Sequence, residues 1–143
     1  MNPHGAAHAM HAMDASAETF GIELVEASPH GSVVRMTVRP DMCNGLKILH
    51  GGMTFLLADS AMAFASNAEN EMALASSAEI DWLAPVEIGQ VVTATAVQAW
   101  SSGRSALWDI TVTAASGDGS EDVVVALMRG RTRRIGKPVV ENL

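Results

Sequence analysis

His50-Gly51-Gly52-Met53-Thr54-Phe55-Leu56-Leu57-Ala58-Asp59-Ser60-Ala61-Met62-Ala63-Phe64-Ala65-Ser66-Asn67 is the stretch that decides the fold. Apolar and small side chains occur all round its helical projection, and a helix apolar all round is an enclosed one. Asp59 is its only charged residue. The run from Met53 to Ala68 is interrupted by Asp59, Ser60, Ser66 and Asn67. It is also shorter than the ~20 residues a membrane-spanning helix needs, so it reads as a buried helix and no membrane partner is expected.

Strand patterns flank the helix on both sides. Upstream, Ile22-Glu23-Leu24-Val25 and the alternation of Val34, Met36 and Val38 with Arg35, Thr37 and Arg39 predict a hairpin turning at His30-Gly31. Pro40 ends the second strand, because proline cannot donate to a ladder. Downstream, β-type runs cover about residues 73–83, 91–100, 105–114 and 123–133, with breaks at Pro85, Gly89, Ser101-Ser102-Gly103 and Ser116-Gly117-Asp118-Gly119. Short loops between the last three favour an antiparallel meander, and the lack of helical crossovers excludes a doubly wound sheet. An α+β fold follows, with one antiparallel sheet on one hydrophobic helix. A sheet covers one side of such a helix, so an identical subunit is expected to cover the other.

Composition sets outer bounds. A chain of 143 residues with 48% hydrophobic content suits one domain. We read residues 1–20 as a helical or flexible N-terminal segment and 21–143 as that domain. A net charge of −7 argues against a nucleic-acid partner. The single cysteine, Cys43, cannot form an internal disulfide, and the start shows no basic region leading into an apolar one, so a cytoplasmic location is expected. His4, His8 and His11 share a helical face, but no carboxylate or thiol joins them; they read as a solvated face, and no metal is expected.

Asp59 lies mid-helix, remote from both ends of the dipole, where burying an unpaired carboxylate costs several kcal/mol. A structural hydrogen bond is the ordinary explanation. The helix start adds a second feature: Gly51 and Gly52 lack side chains where free N–H groups project, which suits a developing oxyanion, although a glycine pair also serves a sharp turn or close packing. Gly51 and Asp59 are about 12 Å apart along the axis at the helical rise of about 1.5 Å per residue. A reacting carbonyl needs both groups within about 3–3.5 Å, so one chain cannot readily supply both. Two antiparallel helices at a dimer interface could, giving two composite sites.

The pattern Asn-Gly-x4-His-Gly-Gly-x6-Asp, from Asn44-Gly45 through His50-Gly51-Gly52 to Asp59, resembles hotdog-fold acyl-CoA thioesterases of the phenylacetate-degradation (PaaI-like) type. Ile80-Asp81-Trp82-Leu83-Ala84-Pro85 and Arg129-Gly130-Arg131-Thr132-Arg133-Arg134-Ile135-Gly136 extend the resemblance, which runs from about Gly21 to Gly136. It implies a curved antiparallel sheet wrapped around a long central helix, dimers often paired into homotetramers, and hydrolysis of acyl-CoA, aromatic (hydroxy)phenylacetyl groups first. Coenzyme A is then part of the substrate, and no separate cofactor is implied. By position, Asp59 activates water or attacks the thioester, Gly51 N–H polarises its oxygen, Asn44 positions carbonyl or water, and His50 supports the loop. A related subfamily adds a serine, which here is Ser76 or Ser77. Another uses Glu in place of Asp.

Five of the nine basic residues cluster at Arg129, Arg131, Arg133, Arg134 and Lys137. Strand alternation puts 129, 131 and 133 on one face, as solvent-facing charge on an edge strand or, in the family context, as contacts to coenzyme A phosphates. Arg129 and Arg131 are the candidates retained, with Arg104 a looser one. The acyl pocket is expected from Gly52, Phe55, Leu56, Met62 and Phe64 with Met42 and Leu46. Two readings compete with thioester hydrolysis. One is a hotdog dehydratase, which needs a His–acid pair in another motif; the other is a non-catalytic acyl-CoA binding module. A Cys43–His50 nucleophile lacks an orienting third group.

Overall fold

The computed structural model describes residues 5–116 and 118–143. Two short helices, α1 (Gly5–Ala12) and α2 (Ala15–Phe20), precede the hairpin of β1 (Glu23–Ser28) and β2 (Gly31–Thr37). The long helix α3 (Gly51–Ser66) follows, then β3 (Ala73–Trp82), β4 (Val91–Ser102), β5 (Ser105–Ala115) and β6 (Val123–Arg134). No helix among the described residues is long and apolar enough to cross a membrane.

The strands form one antiparallel sheet in the order β1-β2-β4-β5-β6-β3. α3 touches all six strands, which is the hotdog arrangement the motif implies. The meander β4-β5-β6 pairs as the short turns predict. β3 precedes these strands in the chain yet pairs beyond them with β6, so β1 and β3 are the free edges.

Alternation decides what faces the helix. Val34 and Met36 of β2, Val92, Ala94 and Ala96 of β4, Trp108, Ile110, Val112 and Ala114 of β5, and Met128 of β6 are buried against α3 and its neighbours. From α3 itself come Leu57, Ala58, Ala61, Met62, Phe64 and Ala65. The fit is closest at Gly130, where an added Cβ would overlap Met62 Sδ. Glycine therefore interrupts the arginines of β6 because a methionine occupies its side-chain space. At the far end of α3, buried Asn67 donates from Nδ2 to the carbonyls of Ala63 (2.8 Å) and Ala73 (3.0 Å), and its Oδ1 accepts the Ala73 N–H at 2.9 Å. One side chain thus closes the helix and starts β3.

The N-terminal segment carries two helices, because Asp14 caps a new one, its carboxylate accepting the Ala17 N–H at 3.0 Å. Three expectations are corrected. His4 lies outside the described residues and His8 is exposed. His11, however, is not on a solvated face: its Nε2 bonds the Ile22 carbonyl at 2.7 Å and its ring meets Phe64 edge-on. β6 is an interior strand, so Arg129, Arg131 and Arg133 project from the middle of the sheet. Met42, Met62 and Phe64 belong to the core, where they are almost fully buried and enclosed by their own chain, and Leu46 is largely exposed.

Gly130→Val is expected to destabilise the fold by about 1–3 kcal/mol through overpacking. Met62→Ala in the same chain should recover part of that loss, because it empties the space the new side chain needs. Urea unfolding of the two single variants and the double variant measures the coupling; simple additivity would show that the two residues do not compete for space.

Candidate active site

α3 starts where it does because His50 caps it. The His50 Nδ1 accepts the Gly52 N–H at 2.9 Å, and its carbonyl accepts those of Met53 (2.8 Å) and Thr54 (3.3 Å). The Gly51 N–H alone in this first turn has no acceptor among the described residues. It stands at the positive end of the helix dipole. A Cβ on Gly52 would come within 3.0 Å of His50 Nδ1, so the second glycine lets the ring lie across the helix start.

The preceding loop is tied from several sides. Asn44 N–H donates to Ile48 O at 2.9 Å, His50 N–H to Met42 O at 2.9 Å and Leu49 N–H to Val86 O at 2.8 Å. Asn44 Oδ1 accepts the Leu46 N–H at 2.9 Å. A backbone donor requires the oxygen there, so the amide orientation is chemically fixed and Nδ2 remains as a donor. Asn44 and Gly51 line one open groove with Thr54, Trp82, Leu83 and Pro85. The chemistry available in it is donation to an oxygen atom.

Asp59 does not line this groove. It sits two turns along α3 on a stripe formed by Gly52, Phe55, Leu56, Asp59 and Ala63, which the sheet leaves partly open while the rest of the helix from Thr54 onward is buried. Among the described residues the carboxylate has no ion-pair partner and accepts no side-chain hydrogen bond; the neighbouring Ser60 Oγ donates instead to the Leu56 carbonyl at 2.7 Å. Desolvation pushes its pKa above the ordinary carboxylate value.

The other predicted residues are dispersed. Ser76 and Ser77 are exposed on edge strand β3, Ser76 at a bulge where its Oγ donates to the Arg131 carbonyl at 3.4 Å, and Ser77 opposite Arg131 in the ladder. Arg129 and Arg131 are on the outer face of the sheet. Arg129 is engaged by Asp109 through two bonds of 2.8 and 3.0 Å, which raises the guanidinium pKa and lowers that of the carboxyl. Cys43 Sγ donates to the Arg39 carbonyl at 3.6 Å, and His50 Nδ1 is occupied by the cap. Among the described residues no three His, Cys, Asp or Glu side chains are grouped to hold a metal. A more enclosed cavity of about 270 Å³ lies at the other end of α3 among Ser66, Glu69, Arg104, Trp108 and Arg134, and neither Asn44, His50, Gly51 nor Asp59 lines it.

The sequence alone assigns no role to two groove residues, Thr54 and Trp82. Trp82 is visible there as an aromatic beside Asp81 and Leu83, but its partner is 31 positions away in the chain: its indole Nε1 donates to the Gly51 carbonyl at 3.1 Å.

Comparison with known proteins agrees with this geometry. The model of the thioesterase superfamily matches residues 46–121. Acyl-coenzyme A thioesterase PaaI of Escherichia coli K12 is 38% identical over 130 residues, covering 91% of this chain and 89% of that protein. The solved structure of the E. coli PaaI protein, from the phenylacetic acid degradation operon, superposes with a TM-score of 0.87 at 37% identity, covering 96% of this chain and 99% of that one. A mutant of the phenylacetic acid degradation protein PaaI from Thermus thermophilus gives a TM-score of 0.77 at 34% identity, with 85% of this chain and 100% of that one covered. The sheet order, the enclosed helix and these matches together establish that the chain belongs to the PaaI-like hotdog thioesterases, a family of thioester hydrolases.

Proposed function

We propose that the protein hydrolyses phenylacetyl-CoA, a hydroxylated phenylacetyl-CoA or a closely related aromatic acyl-CoA to the free acid and coenzyme A. The observation that carries this reading is the division of α3: an unengaged N–H at Gly51 and an unpartnered, desolvated carboxylate at Asp59. The phenylacetic acid degradation context of the E. coli relative supports the aromatic acyl group.

In the reaction Asp59 takes a proton from water as its oxygen attacks the thioester carbon. The Gly51 N–H, with Asn44 Nδ2 beside it, holds the oxyanion that forms. Collapse restores the carbonyl and expels the thiolate of coenzyme A, which takes the proton back from Asp59. A thiolate leaves without the strong general acid an amide requires. One oxyanion donor is typically worth about 3–4 kcal/mol in the barrier.

The two halves come from different subunits. β3 is a ten-residue edge strand exposed on both faces, and the Asp59 stripe of α3 is incompletely covered; both features favour a second copy across this side. Antiparallel α3 helices in such a dimer bring Gly51 of each chain toward Asp59 of the other. Arg131, exposed and without an ion-pair partner among the described residues, is better suited than Arg129 to meet a coenzyme A phosphate.

Thiol release over aromatic and aliphatic acyl-CoAs tests the activity. Asp59→Asn should lower kcat at least about a hundredfold with fold and assembly intact. Retained turnover would refute the role given to Asp59, and hydration of an enoyl thioester without thiol release would favour a dehydratase.

Subunit mixing tests the composite site. Asp59→Asn and Gly51→Pro chains, each inactive alone, should recover about a quarter of wild-type turnover when co-refolded, since a mixed dimer has one intact site. A site contained in one chain would recover none.

The raised Asp59 pKa fixes two signs. The base must be ionised, so kcat should fall with acidification through a pKa above that of an ordinary carboxylate. Burial favours the protonated form in the folded state, so the contribution of Asp59 to stability is largest below the unfolded-state pKa and declines as pH rises through the folded-state one. Asp59→Asn should therefore be more stable than wild type near neutrality, with the difference shrinking in acid. Melting curves across pH read this directly.

A further inference from the structure

Trp82 ends β3 and keeps 55% of its surface exposed, so core burial does not explain its size. Its backbone is held by the sheet: it stands opposite Ala126 in the ladder, and the next residue, Leu83, donates to the Val125 carbonyl at 2.8 Å. From this anchored position the indole reaches the first turn of α3, where Nε1 donates to the Gly51 carbonyl at 3.1 Å. Among the described residues no other sheet side chain hydrogen-bonds to that turn.

The same contact explains why residue 51 is glycine. Gly51 does not have a positive φ, so no backbone requirement excludes a side chain there. A Cβ would instead stand 3.1 Å from Trp82 Nε1 and 3.2 Å from Cε2. The indole crowds the space of the missing side chain, so a Cβ there has to push it back by a few tenths of an ångström. It also walls the groove that Asn44, Gly51 and Thr54 line.

We propose that Trp82 is the positioning residue that aims the Gly51 N–H, and that its indole is the wall along which the acyl thioester lies. This rests on the reading of Gly51 as oxyanion donor. The indole N–H adds a second donor to a carbonyl already within the helix ladder, so it ties the helix start to the sheet and restricts rotation of the first turn. Loss of aim affects the transition state more than the ground state, because the oxyanion needs the donor at close range.

Phenylacetyl-CoA hydrolysis by the full-length protein, followed through thiol release, separates the possibilities. Trp82→Phe keeps the ring and removes the N–H; kcat should fall about three- to tenfold with little change in KM, the scale of one neutral hydrogen bond. Trp82→Leu should lower kcat further and raise KM for aromatic substrates. Gly51→Ala should be impaired in the wild-type background, yet cost nothing further in the Trp82→Leu background, where the N–H is retained and the collision is gone. Melting temperature and sedimentation check folding and assembly, and Trp82→Phe preserves the test if the Leu variant does not fold. Wild-type kcat in both Trp82 variants overturns the positioning role while leaving Gly51 as donor. If Gly51→Pro and Gly51→Ala are equally active in the Trp82→Leu background, the donor role itself fails and the proposal with it.

Discussion

Enclosure of α3 is the constraint on which the rest of the structure depends. The helix has no polar face to offer water, so the sheet bends around it and all six strands reach it. Each large side chain it buries, such as Leu57, Met62 or Phe64, contributes about 1.5–3 kcal/mol from removal of apolar surface. Close approach demands small residues on the other side: Ala94, Ala96 and Ala126 line the inner face, and Gly130 yields its side-chain space to Met62. A single sheet still covers only one side. The incompletely covered stripe is where Asp59 sits, so the carboxylate proposed as the base occupies a part of the helix that its own chain does not seal.

The start of α3 answers a different requirement. A helix N-terminus carries more donors than acceptors, and here the His50 ring and carbonyl absorb those of Gly52, Met53 and Thr54. The Gly51 donor is left over beside a groove that Asn44 also lines, with its oxygen engaged by the Leu46 N–H and its nitrogen free among the described residues. Two donors thus line one groove, which suits the oxygen of the proposed substrate, and their placement depends on the 43–49 loop being pinned at Met42 and Val86.

Much of this is legible in the sequence because period and punctuation are local signals. Alternation around Val34–Val38 and the Ser101-Ser102-Gly103 break locate strands within a residue or two, and the all-apolar helix is unmistakable. The sidedness of that helix is not legible. When apolar residues occur all round, periodicity does not say which face meets the sheet, so Met62 and Phe64 read as pocket residues although they are core. The position of β3 is equally hidden: nothing between Asn67 and Ala73 reveals that the strand passes to the far edge beside β6, so β6 reads as an edge strand. Of the site, the residues along the chain motif are readable, while the Trp82–Gly51 contact is not, because it is made across the fold.

The oddity of a carboxylate in an apolar helix is now physically specific. Even more exposed aspartates of this chain have partners, Asp109 in Arg129 and Asp14 in the Ala17 N–H. Asp59 has neither, and desolvation raises its pKa, so it prefers a proton more than an ordinary carboxylate does. That preference makes it a poor stabiliser and a better base. The apolar surround that drives its affinity for protons also strengthens any hydrogen bond that Gly51 and Asn44 make to a developing negative charge, since both effects arise from exclusion of water. In the dimer proposed above, a second subunit closing over the α3 stripe therefore does more than complete the burial of a hydrophobic helix. On that proposal it sets the dielectric in which the base and the donors act, so assembly and catalysis draw on the same apolar contact.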